Sequence, residues 1–199
     1  MIAALYVDPL RGPYGSMKGV DAWGVERDGR LYDGPHSVVA HPPCAQWGRL
    51  SWRALPDADA KACGPRAIEQ ARLYGGVVEH PADSTLWRHC KLIPPGFMQD
   101  RWGGWTMEID QTRWGHPCAK RTWLYIVGVK RSDLPPIPPP REPTHVIVAS
   151  NAANGYGRHL PKSQRHLTPP AFAEWLVQVA TTALSSRLLL RPTASASEG

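Results

Sequence analysis

Cys44 follows directly on Pro42 and Pro43, and these end the short apolar run Val38-Val39-Ala40. Proline fixes φ and carries no N–H, so the pair stops a strand and holds the thiol on a stiff loop at its exit. A second junction of this kind is Gly76-Val77-Val78-Glu79-His80-Pro81, where an apolar run meets a carboxylate and a proline. A thiolate is a nucleophile and a carboxyl group an acid. Set at neighbouring strand ends, the two have the makings of covalent catalysis. Ligands of α/β folds bind at that edge of the sheet. His41 stands beside the prolines, either as a base for Cys44 or as a packed structural side chain.

Several elements must position these groups. Residues 3–7, 21–26, 37–40, 76–79, 105–109 and 123–129 read as strands. Residues 11–19 form a glycine-rich loop with Gly12, Gly15 and Gly19. The spacing of Ala67, Ile68 and Ala71 predicts a helix over 65–74, with Pro65 at its start and Gly75-Gly76 as its stop. Phe172, Trp175, Leu176, Val179 and Ala183 predict an amphipathic helix over 170–185. Residues 135–140 are a polyproline connector, and 191–199 read as a frayed tail. Strands alternating with helices predict an α/β fold.

The 199 residues suffice for one domain with a sizeable core. No apolar run approaches the roughly 20 residues of a membrane span, and residues 1–7 read as a first strand, not a signal peptide. The four cysteines show no paired spacing, which points to a reducing cytoplasm and to no metal site. Cys63, Cys90 and Cys118 read as structural. A net charge of +6 suits a polyanionic partner. Nine tryptophans against two phenylalanines are unusual, and several stand beside arginine, as in Trp47-Gly48-Arg49 and Trp52-Arg53. Such pairs can hold phosphates and stack bases.

Taken in order, these pieces resemble the DNA cytosine-C5 methyltransferases. Asp8-Pro9-Leu10-Arg11-Gly12-Pro13-Tyr14-Gly15 resembles their loop after the first strand, and Glu26-Arg27-Asp28 their acidic end of the second strand. Pro43-Cys44 is similar to the nucleophile loop, with Ser51 echoing a later serine, and Glu79-His80-Pro81 to the Glu-Asn-Val motif. Residues 114–121, Trp-Gly-His-Pro-Cys-Ala-Lys-Arg, resemble the Tyr-Gly-x-Pro-Gln-x-Arg-x-Arg segment. Arg165-His166-Leu167-Thr168-Pro169 resembles the Arg-x-Leu-Thr-Pro segment. The sequence departs from the pattern at His80, Cys118 and Lys120, where the family has Asn, Gln and Arg.

The resemblance implies a compact, Rossmann-like methyltransferase-type sheet flanked by helices, with a reduced or absent target recognition domain. It implies a catalytic region over 1–130, a proline-rich connector and reduced recognition region over 131–164, a returning segment and helix over 165–187, and a flexible tail over 188–199. Cys44 is the expected nucleophile at C6 of the pyrimidine and Glu79 the acid at N3. Lys120 and Arg121 are expected to steady the ring carbonyl or a phosphate. S-adenosylmethionine would be held by Asp8, Gly12, Gly15, Glu26 and Asp28. Gln46, Trp47, Arg49 and Arg165 are expected to contact DNA, bound with little sequence preference. Asp33 is a weaker candidate for the adenine. So compact a form suggests a phage or mobile element acting in a bacterial cytoplasm. Two alternatives stay open: an enzyme acting on a free pyrimidine nucleotide through the same site, and an idle relative that binds DNA.

Overall fold

A computed structural model describes residues 1–147 and 157–189 of the chain. At its centre lies a six-stranded sheet of order β2-β1-β3-β4-β6-β5. The strands are β1 (Ile2–Leu5), β2 (Val20–Trp23), β3 (Val38–Ala40), β4 (Gly76–Pro81), β5 (Trp105–Asp110) and β6 (Arg121–Val127). The first four run parallel, and β6 is antiparallel to both of its neighbours. The protein is α/β, with a mixed sheet flanked by helices. The predicted strands are all present, with ends shifted by one to three residues.

The central strands are apolar on successive residues because both faces of the sheet are covered. Ala3, Leu5, Val38, Ala40 and Val78 pack with Ala67, Ile68 and Ala71 of helix α1 (Ala58–Tyr74). Ile2, Ala4, Val39 and Val77 pack with Phe172, Leu176, Val179 and Ala183 of the C-terminal helix, α4 (Pro170–Leu189). The period of two along each strand thus sorts one sequence onto two helices. Gly76 sits at φ +118°, where a Cβ would lie 2.0 Å from the Val38 carbonyl oxygen, so only glycine lets β4 start against β3.

Helix α1 begins seven residues before the predicted start. Asp57 caps it by accepting the Ala60 amide at 2.9 Å, and Pro65 lies inside. An internal proline leaves the carbonyl four residues earlier without its donor. Here that carbonyl belongs to Lys61, and the Trp47 indole N–H donates to it at 3.1 Å. Gly64 makes room for this contact: a Cβ there would meet Trp47 Nε1 at 2.9 Å and Leu86 Cδ1 at 2.7 Å. Leu86 opens the short helix α2 (Leu86–His89).

The polyproline connector is strapped to the body. Its outward carbonyls accept hydrogen bonds, as an extended proline helix requires of its surroundings. Trp175 Nε1 donates to Pro135 and Pro136, and Arg113 to Pro138 at 2.7 Å. Beyond it lie a two-residue parallel pair, β7 (His145–Val146) with β8 (Arg158–His159), and the short helix α3 (Lys162–Arg165). Part of the expected recognition region, 148–156, and the frayed tail over 191–199 lie outside the described residues.

Trp47→Phe keeps the ring and removes the N–H, which strands the Lys61 carbonyl beside Pro65. The expected cost is about 1–3 kcal/mol, that of one unmade buried hydrogen bond. Urea denaturation monitored by circular dichroism checks it; an unchanged midpoint would refute the assignment.

Candidate active site

The parallel register aligns Leu5, Ala40 and Val78 across β1, β3 and β4. The next residue on β3 is His41 and on β4 is Glu79, so both emerge side by side at the carboxyl edge. Their contact follows: His41 Nδ1 lies 3.0 Å from Glu79 Oε2. The sheet order reverses between β1 and β3. The crossover from β1 runs over one face and α1 over the other, which opens a crevice there. Tyr14 comes from a 3-10 turn in that first crossover, and its hydroxyl lies 2.6 Å from His41 Nε2. Both nitrogens of His41 are therefore engaged, by Tyr14 and Glu79 and not by Cys44.

Glu79 is buried on the α4 side of the sheet. Its Oε1 accepts Gln111 Nε2 at 2.8 Å, and the same amide nitrogen reaches Thr122 Oγ1 at 3.0 Å. Burial works to raise the Glu79 carboxyl. The His41 hydrogen bond and charge, with Lys120 and His80 behind them, prevail and hold it at about 2. Tyr14 is displaced the other way, well above the usual phenol range, by burial and then by the Glu79 charge. His80 points to the opposite face, edge-on to Trp87. Burial brings it down to about 4, against the pull of Glu79.

Cys44 is exposed and free, as Pro42-Pro43 lead the chain out of the sheet. Desolvation is still the largest influence on its thiol and raises it. Glu79 raises it further, and Lys120 lowers it. Cys44, Glu79 and Lys120 thus act on one another, as expected from their motifs. Lys120 is anchored by donating to the Leu167 carbonyl at 3.2 Å. Tyr14, His41, Gln111 and Thr122 complete the cluster. The polar run Asp110-Gln111-Thr112 at the end of an apolar strand was the sequence signal for Gln111.

Other expected site residues are used elsewhere. Arg121 alternates onto the face opposite Glu79 and pairs with Glu108 at 2.8 Å. Trp47 is 4% exposed and belongs to the core beside α1. The exposed tryptophan of this loop is Trp52, at 73%, with the Arg53 guanidinium 4.6 Å from its ring. Gln46 turns back to the Leu55 carbonyl at 2.7 Å. Arg165 ties α3 to the Leu160 and Ile147 carbonyls. Arg49 is exposed.

The glycine-rich loop closes on itself. Asp8 Oδ1 accepts the Leu10 and Arg11 amides at 3.0 Å, and the Asp8 carbonyl accepts the Gly12 amide. A Cβ on Gly12 would meet the Asp8 carbonyl oxygen at 2.7 Å, and one on Gly15 the Pro9 oxygen at 1.8 Å. Both glycines are needed for the loop's own backbone. Asp28 is held below the usual carboxylate range by Arg30, which takes both its oxygens. At the same edge Leu10 is 93% and Val25 98% exposed, and the neighbouring Glu26 is exposed as well. Pro9 packs on Gly24, where a Cβ would come within 2.7 Å of its ring, so the two loops lie side by side. Among the described residues no group of three or more His, Cys, Asp or Glu could hold a metal ion, and no helix is long and apolar enough to cross a membrane.

Because Glu79 ionises more readily folded than unfolded, it stabilises the protein above the ordinary carboxylate range. That stabilisation fades as pH falls toward about 2. The expected contribution at neutral pH is on the order of 3 kcal/mol. Denaturation from pH 6 to 2 should show a shallower slope for Glu79→Gln than for the wild type; parallel profiles would refute the depressed carboxyl.

No family model matches the chain, and neither a curated protein nor a solved structure matches it.

Proposed function

We propose that the protein modifies C5 of a pyrimidine in DNA, in the manner of the cytosine-C5 methyltransferases, on a compact Rossmann-like sheet of their type. The observation that carries this reading is the gathering of Cys44, Glu79 and Lys120 at the sheet's carboxyl edge, with Glu79 gripped by His41 and Gln111. C5 of a pyrimidine is a poor nucleophile. Addition of the Cys44 thiolate to C6 moves the ring's double-bond electrons toward C5, which can then attack an electrophilic carbon. Lys120 lowers the thiol and so favours the thiolate. Glu79 faces the N3 side of the ring and offsets charge there. After the transfer, loss of the C5 proton expels the thiolate and restores the aromatic ring.

The methyl donor in this reading is S-adenosylmethionine, which supplies an electrophilic methyl group when bound. The residues at the ends of β1 and β2 fit an adenosyl group, though by a different set from the one the motif implies. Leu10 and Val25 offer exposed apolar surface for the base and Glu26 a carboxylate for ribose hydroxyls, while Asp8, Gly12, Gly15 and Asp28 serve the loops themselves. DNA is the proposed partner on the strength of the +6 charge and of Arg49, Trp52 and Arg53 beside Cys44. The base must leave its stack for C6 to meet a thiolate. Trp52 is the side chain exposed to fill the gap.

Mass spectrometry of DNA from cells expressing the protein should find C5-modified cytosine with the wild type and none with Cys44→Ser. Serine nearly preserves the volume and gives no thiolate at neutral pH. Equal modification by both would end the covalent mechanism. Unmodified DNA with binding retained would favour the idle DNA-binding relative.

Trp52→Ala should weaken binding of a duplex roughly tenfold or more, since stacking on one base is worth about 1–3 kcal/mol. Affinity should also fall steeply from low to physiological salt as phosphate contacts release counterions. Fluorescence anisotropy measures both. Binding indifferent to Trp52 and to salt would remove DNA from the reading.

A further inference from the structure

The hydrogen bonds around Glu79 run in one direction. Burial and the Glu79 charge keep the Tyr14 phenol protonated. Its O–H therefore donates to His41 Nε2, and the imidazole proton sits on Nδ1, pointed at Glu79 Oε2. On the other oxygen, the Gln111 amide turns its Nε2 toward Glu79 and Thr122. Glu79 thus receives two N–H donors and holds no proton of its own. The other titratable groups around it are Lys120 ahead of β6, His80 on its own strand and the Cys44 thiol on the neighbouring loop. None of these changes the sense of the arrangement. Lys120 adds positive charge. His80 stays neutral above about 4, and the raised thiol keeps its proton near neutrality.

A carboxylate that only accepts must meet a donor on the ring. Uracil and thymine carry a hydrogen on N3. Neutral cytosine presents a lone pair there, which faces Glu79 with like polarity. We infer that the site reads the protonation of ring N3, so that a uracil-type ring enters as it stands and cytosine enters only with a proton taken up from solvent. This rests on the pyrimidine-C5 reading and names the form of substrate the same site holds. The balance closes without a further reactant. The proton goes from water to N3, the ring becomes a cation beside the Glu79 anion, and the Cys44 thiolate adds to C6 to give a neutral adduct. The N3–H stays on Glu79 throughout and leaves with the product ring. The ring's positive charge also favours ionisation of the thiol when it is needed.

The test is isothermal titration of the full-length protein with dCMP and with dUMP near neutral pH. Two buffers of different ionisation enthalpy are used, and the protons exchanged are counted. The wild type should take up close to one proton per dCMP and none per dUMP. Its dCMP affinity should fall about tenfold for each pH unit between 6 and 8. In Glu79→Gln the side-chain amide can itself donate to the N3 lone pair, so dCMP should bind with no uptake. Should that variant fail to fold, the dCMP and dUMP arms of the wild type decide alone. Binding of dCMP by the wild type without proton uptake overturns the inference and leaves the pyrimidine site standing. No binding of either nucleotide, or of an oligo-dC single strand, overturns the pyrimidine reading itself and this inference with it.

Discussion

The parallel pairing of β3 with β4 is the constraint from which the site derives. Once Ala40 lies opposite Val78, the next residue of each strand must emerge at the same edge, and His41 meets Glu79. A slip of one residue would turn Glu79 to the α1 face and set His80 in its place. The register itself is held at the other end of the strand. Gly76 allows β4 to begin against the Val38 carbonyl, closer than any side chain would permit. A backbone approach at the base of the sheet thus determines which side chains meet at its top.

The cysteine loop depends on a second, longer-range fit. Trp47 reaches under α1 and takes the carbonyl that Pro65 leaves free. Helix, loop and α2 are joined there, since Gly64 admits Trp47 and Leu86 together, and the Trp47 carbonyl receives the Thr85 amide at 2.8 Å. The segment leaving Cys44 is anchored three residues on by a buried ring. The side chains beyond, Arg49, Trp52 and Arg53, project into solvent. The anchored part and the exposed part of this loop have the same local flavour, aromatic beside glycine or arginine, and opposite fates.

That contrast marks how far the sequence could be read. The strand ends bearing Cys44 and Glu79 were legible because proline interrupts an apolar run in a way that has one physical meaning. The face of α4 was legible because Phe172, Trp175, Leu176 and Val179 repeat with the helical period. The early turns of α1 were hidden: Pro65 looks like a first helical residue, and its acceptance within the helix depends on Trp47, distant along the chain. Trp47 and Trp52 could not be told apart, since burial is decided by what packs on them. Tyr14 and Gln111 were missed as partners of the site for the same reason, since a register and a crossover bring them to Glu79. The motif that placed Asp8, Gly12 and Gly15 on a ligand described a loop whose backbone already uses them.

Helix α4 covers Ile2, Ala4, Val39 and Val77, which lie on the first and central strands of the sheet. The sheet's two faces are therefore completed at very different times as the chain is made. The α1 face can close once β4 is available. The other face stays open, with apolar side chains bare, until Phe172 and its neighbours arrive, carried in by a proline strap too stiff to wander. Contacts of such high sequence separation slow folding. A growing chain therefore carries a half-dressed sheet through most of its synthesis, and the catalytic edge, which Tyr14 and Glu79 share with that bare face, is among the last regions of the protein to become rigid.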